Sequence, residues 1–275
     1  MVKIMLDSSS DGKNLHPCDY YVPLTVEVGG RSYKDGIDLR TQKFYRLLTS
    51  CEEFPKTSQP SPEDYVEAFT EVKEKGDELI VLSLSSGLSG TYQSANIAKA
   101  MVEYGGIHIV DTRTVTHLIG ILARYADRLR NEGFSAAEIV EKLQDVRDRQ
   151  VLFAGLQTLE YLHKGGRLSK SSAAVGTIAN IKPIVALSEE GKVESVAKAI
   201  GVKRAISTII KQVQDFEVDT DFPVWSLYTV EEENCEALEA ALQAAGITVT
   251  GRMQVGPTIG AHVGPGIYGI AFVRK

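Results

Sequence analysis

Seven consecutive residues, Ser85-Ser86-Gly87-Leu88-Ser89-Gly90-Thr91, combine hydroxyl side chains with two glycines. They follow an apolar run that predicts a strand and precede a pattern that predicts a helix. Glycine lets a backbone approach a ligand closely, and the unpaired N–H groups at a helix N-terminus attract anions. We therefore expect this turn to bind a carboxylate or a phosphate, although an ordinary helix cap has the same composition.

Three motifs with similar glycine spacing do not fit this chain. A nucleophile elbow requires G-x-S-x-G, and the segment 87–91 ends in threonine. A phosphate-binding P-loop requires G-x-x-x-x-G-K-S/T, a string that occurs nowhere in the sequence. Residues 264–269 match G-x-G-x-x-G, but a dinucleotide site needs a following helix and an acid about 20 residues later. Only six residues follow Gly269, so we expect no nucleotide cofactor.

A second polar segment, KTSQPSP (56–62), precedes a predicted helix. Proline disfavours helical conformations in the residue before it, so the segment is expected to be extended. The hydroxyls of Thr57 and Ser58 would then be held in place rather than mobile. Taken alone, the segment is more typical of a surface loop.

Two further residues carry groups that suit an anion. Arg167 follows two glycines in KGGR (164–167), and a guanidinium favours bidentate contact with a carboxylate or phosphate. His262 is flanked by small residues, which would leave its ring accessible. A solvated arginine after a helix C-cap and a structural histidine are the alternative interpretations.

Composition limits the classes of protein and partner. Hydrophobic residues make up 43% and charged residues 24%, as in globular proteins with a packed core. A net charge of −6 disfavours nucleic acid or an anionic membrane as the main partner. We expect neither a signal peptide nor a stable membrane insertion, because no apolar run is long enough. The three cysteines and five histidines show no metal spacing, and unpaired cysteines indicate the cytoplasm.

The first half of the chain predicts an α/β domain. Strand-like runs at 2–6, 78–84 and 107–110 alternate with helical patterns at 61–75 and 90–104, and a further strand-like run at 21–28 stops at a predicted hairpin turn, Gly29-Gly30. Ser61, followed by Pro62, is the expected N-cap of the first helix. A second helix start, Ser135 with Glu138 three residues later, has the pattern of a capping box. This alternation predicts a parallel sheet with helices on both faces.

The second half predicts a mixed α+β domain. Strand-like segments at 181–187 and 192–198 flank Glu189-Glu190-Gly191 as an antiparallel hairpin, and helical stretches lie around Ala173, Ile206 and Ala240. We therefore expect two domains, 1–155 and 156–275, with a ligand cleft between them.

Taken together in their order, these segments resemble the DegV family. The matching segments are DSSSD (7–11), PLT (23–25), YKDG (33–36), KTSQPS (56–61), SSGLSGTY (85–92), LEYL (159–162), KGGR (164–167), IKPI (181–184) and HVGPG (262–266). They cover almost the whole chain and agree in order as well as in content.

The resemblance implies a protein that encloses one long-chain fatty acid between two domains. It further implies no catalytic residue of its own, because some members present the carboxylate to a separate ATP-dependent fatty acid kinase subunit. Carried over by position, the carboxylate ligands are Thr57, Ser58, Ser89, Gly90, Arg167 and His262.

Two positions depart from the family pattern, and two other functions remain alternatives. Val263 stands where the family often has threonine, and Ile200 where it often has arginine. One alternative is a Ser/His hydrolase in which His262 would activate Ser89. The other is a protein that binds a different small anion.

Overall fold

The computed structural model describes residues 1–168 and 180–275. The strands are β1 (Val2–Asp7), β2 (Tyr20–Val22), β3 (Thr25–Val28), β4 (Arg31–Lys34), β5 (Lys56–Ser58), β6 (Glu78–Ser83), β7 (Ile107–Asp111), β8 (Gln150–Gly155), β9 (Ile181–Leu187), β10 (Val193–Ile200), β11 (Trp225–Tyr228), β12 (Gly251–Gln254) and β13 (Tyr268–Val273). The α-helices are α1 (Thr41–Ser50), α2 (Glu63–Lys75), α3 (Thr91–Val102), α4 (His117–Asn131), α5 (Ala136–Asp148), α6 (Glu160–Lys164), α7 (Val202–Gln214), α8 (Glu233–Ala244) and α9 (Pro257–Val263). The helix expected around Ala173 lies outside the described residues.

A four-stranded parallel sheet lies in the first half of the chain, in the order β2-β1-β6-β7. Successive side chains of a strand point to opposite faces. Ile4 and Leu6 of β1 therefore pack with α4 and α5, whereas Met5 packs with α2 and α3. This arrangement confirms the predicted parallel sheet with helices on both faces.

A six-stranded mixed sheet, in the order β10-β9-β8-β13-β11-β12, lies in the second half. Leu152 and Ala154 of β8 face the core shared with the first half, whereas Phe153 faces the core formed with α7 and α8. The hairpin predicted from the sequence is present, with Leu187 opposite Val193. The mixed α+β architecture of this half is thereby confirmed.

The division into domains 1–155 and 156–275 stays a prediction. Strand β8 ends at Gly155, directly before that boundary, and pairs with β13 and β9 of the six-stranded sheet. Its hydrogen bonds therefore join the end of the first segment to the second.

A small antiparallel sheet has the order β4-β3-β5. The sequence predicts its hairpin turn but not the pairing of β5 with β3. The sequence predicts one strand over 21–28, but Pro23, which has no N–H to donate, separates β2 from β3. Gly29 and Gly30 form the predicted tight turn, with φ of 60° and 72°. The segment 56–62, typical of a loop when taken alone, instead contributes β5, which pairs with β3.

Local signals predict the ends of several helices correctly. Ser135 and Glu138 form the predicted capping box at α5, and α2 ends at Gly76 in a left-handed conformation. The predicted Ser61 cap of α2 is absent, because Pro62 occupies the N-cap position. In the part of the chain that the structure describes, no helix has the length and apolar character needed to cross a bilayer.

Candidate functional site

A cavity whose empty space, opening included, measures about 810 Å³ lies among residues of both halves of the chain. Most of its wall is apolar: Leu24, Leu84, Leu88, Val115, Leu152, Ala154, Leu162, Val185, Ala186, Leu187, Val193, Leu227, Val255, Ile259, Val263 and Ile267. The remaining lining residues are Thr57, Ser89, Thr116, Arg167, Thr258 and His262. A ligand that is mostly apolar, with a small polar group, fits this lining.

Two of the polar lining residues direct their hydroxyl groups into the protein. Thr116 donates its hydroxyl hydrogen to Asp11, and Thr258 donates to Asp35 over 2.5 Å. Sequence reasoning missed both threonines. The motifs DSSSD and YKDG contained their partners, but only as parts of a family pattern without a role.

The structure brings together four of the six predicted carboxylate ligands, because Thr57, Ser89, Arg167 and His262 all line the cavity. Thr57 Oγ1 lies 2.8 Å from His262 Nε2, and Ser89 Oγ lies 2.8 Å from Thr91 Oγ1. Arg167 Nε donates to the carbonyl oxygen of Leu88 over 3.1 Å. These side chains concentrate hydrogen-bond donors in one part of an otherwise apolar wall.

The pairing of β5 with β3 separates Thr57 from Ser58. Thr57 lies opposite Val26, and Ser58 lies opposite Thr25. Adjacent side chains in a strand point to opposite faces, so Thr57 lines the cavity whereas Ser58 is exposed and does not.

The two glycines of the 85–91 turn allow close approach of other protein segments. A Cβ atom at Gly90 would collide with the side-chain amide of Gln59, and one at Gly87 would lie 2.7 Å from the carbonyl oxygen of Glu190. Gly90 does not line the cavity. Its predicted ligand role therefore gains no support, and its missing side chain leaves room for the side chain of Gln59.

The hydroxyl groups of the same turn have different partners. Ser85 is buried and donates to the carbonyl oxygen of Gly191 over 2.7 Å, which fastens the β9–β10 hairpin to the turn. Ser86 is exposed and donates to Asp111 over 2.5 Å. Among the serines of the turn, only Ser89 is in the cavity lining. Ser89 is therefore the serine of this turn that lies where the predicted carboxylate contact would form. The contact itself stays a prediction.

Arg167 is positioned by the end of α6. Gly166 has a φ of 69°, and Arg167 N donates to Leu162 O over 2.9 Å, which closes the helix with a left-handed turn. The guanidinium also donates to Gly165 O over 2.5 Å. Within residues 1–168 and 180–275, no acidic side chain forms an ion pair with it. Its positive charge is available to an anionic ligand.

His262 is held neutral by its surroundings. Burial, with a smaller contribution from the nearby charge of Arg167, lowers its pKa to about 4. Its Nδ1 atom is buried and has no hydrogen-bond partner among the described residues. A side chain at Gly165 would collide with the ring. At neutral pH, His262 supplies one ring N–H, and Arg167 supplies the positive charge.

A buried pair of histidines lies near Asp11, with His117 Nε2 3.5 Å from Asp11 Oδ2. His16 Nε2 and His117 Nδ1 are 3.1 Å apart, and both rings contact Trp225. Burial is the main cause that lowers the pKa of His16 to about 3 and that of His117 to about 4. Their pKa values in the unfolded chain are near 6.5, so the unfolded state binds more protons as the pH falls below 6.5. Acid therefore removes the stability that these neutral rings contribute.

Replacing His16 with glutamine is expected to reduce this acid sensitivity. Between pH 6.5 and 4.5, the free energy of unfolding of the wild type should fall by about 2 kcal/mol more than that of His16→Gln. Urea unfolding at the two pH values measures this difference. His163→Gln, at an exposed position, should lose as much stability as the wild type. If His16→Gln and the wild type lost equal free energy of unfolding between the two pH values, His16 would not be a source of the acid sensitivity.

Known proteins are similar to this sequence over most or all of its length. A family model described as "Uncharacterised protein, DegV family" matches residues 1–275. A DegV domain-containing protein of Caldanaerobacter subterraneus is 38% identical over 258 residues, which is 93% of this chain and 91% of the relative. One from Staphylococcus aureus is 31% identical over 286 residues, which is 99% of this chain and 98% of the relative.

Solved structures share the fold. The structure of a DegV family protein from Thermus thermophilus, described for its fatty acid binding, has a TM-score of 0.88 at 30% identity, covering 100% of this chain and 99% of that one. A fatty acid binding DegV family protein from Streptococcus agalactiae has a TM-score of 0.89 at 26% identity, with coverage of 100% and 99%. The resemblance seen in the ordered motifs is confirmed, and the chain belongs to the DegV family.

Proposed function

We propose that this protein binds one long-chain fatty acid in the cavity and presents its carboxylate to a separate ATP-dependent kinase subunit. The observation that carries the proposal is the cavity itself, which joins a long apolar wall to one group of hydrogen-bond donors. The fatty acid binding described for the Thermus thermophilus and Streptococcus agalactiae proteins supports the same ligand class.

The carboxylate is bound by Thr57, Ser89, Arg167 and His262. A buried carboxylate is unfavourable unless it is hydrogen-bonded and its charge is compensated. Thr57 and His262 share one hydrogen bond, so this pair offers one donor to the carboxylate; Ser89 offers another, and the guanidinium supplies both donors and charge. Val263, where the family often has threonine, contributes an apolar side chain to the wall.

The acyl chain supplies most of the affinity. About fifteen methylenes at ~0.8 kcal/mol each give a gross gain on the order of 12 kcal/mol. Association and ordering reduce this gain. The donors then determine orientation and select an acid over a neutral lipid.

The chemistry proposed for the complex is phosphoryl transfer. A carboxylate oxygen of the bound fatty acid attacks the γ-phosphorus of ATP on the kinase, the bond to the β,γ-bridging oxygen breaks, and acyl phosphate and ADP form. This chain binds and orients the carboxylate, and the use of ATP places the reaction in the cytoplasm. Ile200, where the family often has arginine, is 58% exposed, so this substitution alters a surface open to a partner.

The geometry does not favour the alternative of a Ser/His hydrolase. His262 Nε2 pairs with Thr57, and Ser89 pairs with Thr91. A nucleophilic serine needs a hydrogen-bonded base, which in turn is oriented by a third group. Within the described residues, His262 Nδ1 has no such partner.

A phosphorylation assay with matched serine variants tests the proposal. The protein is loaded with radiolabelled oleate and incubated with ATP and the kinase subunit of the source organism, and acyl phosphate is trapped as the hydroxamate. Ser89→Ala should lower the yield at least tenfold, because it removes a donor to the carboxylate. Ser86→Ala, in the same turn but bonded to Asp111 outside the cavity, should match the wild type. No hydroxamate from the wild type, or equal yields from both variants, would contradict the proposal.

A further inference from the structure

Helix α9 carries a large share of the cavity wall. Thr258, Ile259, His262 and Val263 all line the cavity, and all lie in this seven-residue helix. Its first residue is Pro257, and its N-cap residue Gly256 has no side chain to cap it. A helix this short gains little stability from its own hydrogen bonds. Its position therefore depends on contacts with the rest of the protein.

Asp35 supplies the missing cap from a distant part of the chain. Its Oδ2 atom accepts hydrogen bonds from Thr258 N over 3.0 Å and from Thr258 Oγ1 over 2.5 Å. Asp35 is 3% exposed and lies between β4 and α1, where its own N–H donates to Leu24 O over 3.0 Å. Asp35 thus bonds the first turn of α9 through its carboxylate and the segment beside β3 through its backbone N–H.

A second polar contact strengthens this connection. Ser8 Oγ lies 3.2 Å from Thr258 Oγ1 and accepts a hydrogen bond from Leu24 N over 2.9 Å. Four segments of the chain therefore meet at Thr258, one turn before His262. Of these contacts, those to Asp35 engage both the backbone and the hydroxyl of Thr258.

The environment of Asp35 is an unfavourable one for an acid. Burial is the main cause that raises its pKa to about 7; the charge of Asp7 adds to this effect, and the hydrogen bonds from Thr258 and Ser8 oppose it. A charge in such surroundings reduces stability unless its hydrogen bonds compensate. The contacts with Thr258 provide that compensation, and they also fix the helix that carries His262.

We propose that Asp35 is a positioning residue for the carboxylate site: it holds α9 through Thr258 and so keeps His262 against Thr57. The effect of the His262 position on ligand binding rests on the proposed function. The position of His262 against Thr57 is a property of the protein without ligand. Thr57 lies on β5 and His262 on α9, so their 2.8 Å contact requires α9 to be fixed relative to the small sheet.

The test combines imidazole NMR of the ligand-free protein with oleate titration of the same samples. The ring signals of His262 are assigned with His262→Gln. The variants are Asp35→Ala, which removes the cap, and Asp35→Asn, which retains an acceptor oxygen for Thr258. Asp38→Ala is the matched control, because Asp38 is an exposed acid of the same loop.

Asp35→Ala should shift the ring signals of His262 and weaken oleate binding about tenfold. Asp35→Asn should restore both toward the wild type, and Asp38→Ala should leave both unchanged. If Asp35→Ala does not fold, Thr258→Val removes the hydroxyl contact with Asp35, together with the weaker one with Ser8, and should shift the same ring signals. Unchanged His262 signals in the folded variants would overturn the proposal. A shift without any oleate binding by the wild type would instead contradict the proposed function and leave the positioning role standing.

Discussion

Replacing Ala154 with phenylalanine is expected to weaken fatty acid binding more than any change at the carboxylate site. Ala154 lies in β8, is 5% exposed and lines the cavity. A larger side chain at this position would therefore fill part of the cavity in which we propose that the acyl chain binds. Excluding about four methylenes would cost about 3 kcal/mol, which is more than a hundredfold in Kd.

Displacement of a fluorescent fatty acid measures this effect, and circular dichroism checks that the variant folds. Ala100→Phe, at an exposed position of α3, is the matched control and should bind as the wild type does. A folded Ala154→Phe protein that binds oleate with unchanged affinity would place the ligand elsewhere.

Replacing Arg167 with methionine is expected to remove the preference for an acid. Methionine retains much of the length of arginine and removes its charge. Hydrogen bonds to charged groups contribute about 1.5–3 kcal/mol, so oleate should bind roughly 10- to 150-fold more weakly. Oleyl alcohol, which has no charge to compensate, should bind the variant about as well as the wild type.

Titration with oleate and oleyl alcohol in parallel separates the charge effect from a general loss of the cavity. Arg46→Met, on the exposed side of α1, should leave both affinities unchanged. If Arg167→Met lost affinity for the acid and the alcohol equally, the guanidinium would be a structural group rather than a ligand of the carboxylate.

Features determined by nearby residues are predictable from this sequence. The 85–91 turn lies between a strand and a helix as expected, and Ser135 forms its capping box with Glu138. The periodicity of apolar residues also predicts both faces of the parallel sheet. Each of these signals depends on residues within one or two turns of each other.

Features determined by long-range pairing are not predictable in the same way. Thr57 and Ser58 have similar side chains, and only the pairing of β5 with β3 decides which one lines the cavity. Gly90 has a structural role because Gln59 packs against it, a contact between segments that no local pattern encodes. The sequence therefore indicates which segments contain ligand residues, but it does not show which residues of those segments line the cavity.

The buried acids were the least predictable part of the site. Asp11 and Asp35 occur in polar segments that are typical of surface loops, yet both are buried beside the cavity. Their partners Thr116 and Thr258 are 105 and 223 residues away in the chain. A buried acid needs hydrogen-bond donors, and here the donors come from distant segments of the chain. A single sequence does not show which distant segments will supply them.

Native mass spectrometry of the freshly purified protein, with extraction and identification of its lipids, tests the central claim most directly. The account predicts one long-chain fatty acid per chain, lost on delipidation and regained when oleate or palmitate is added. A protein that is empty as purified, and stays empty when either acid is offered in excess, would contradict it.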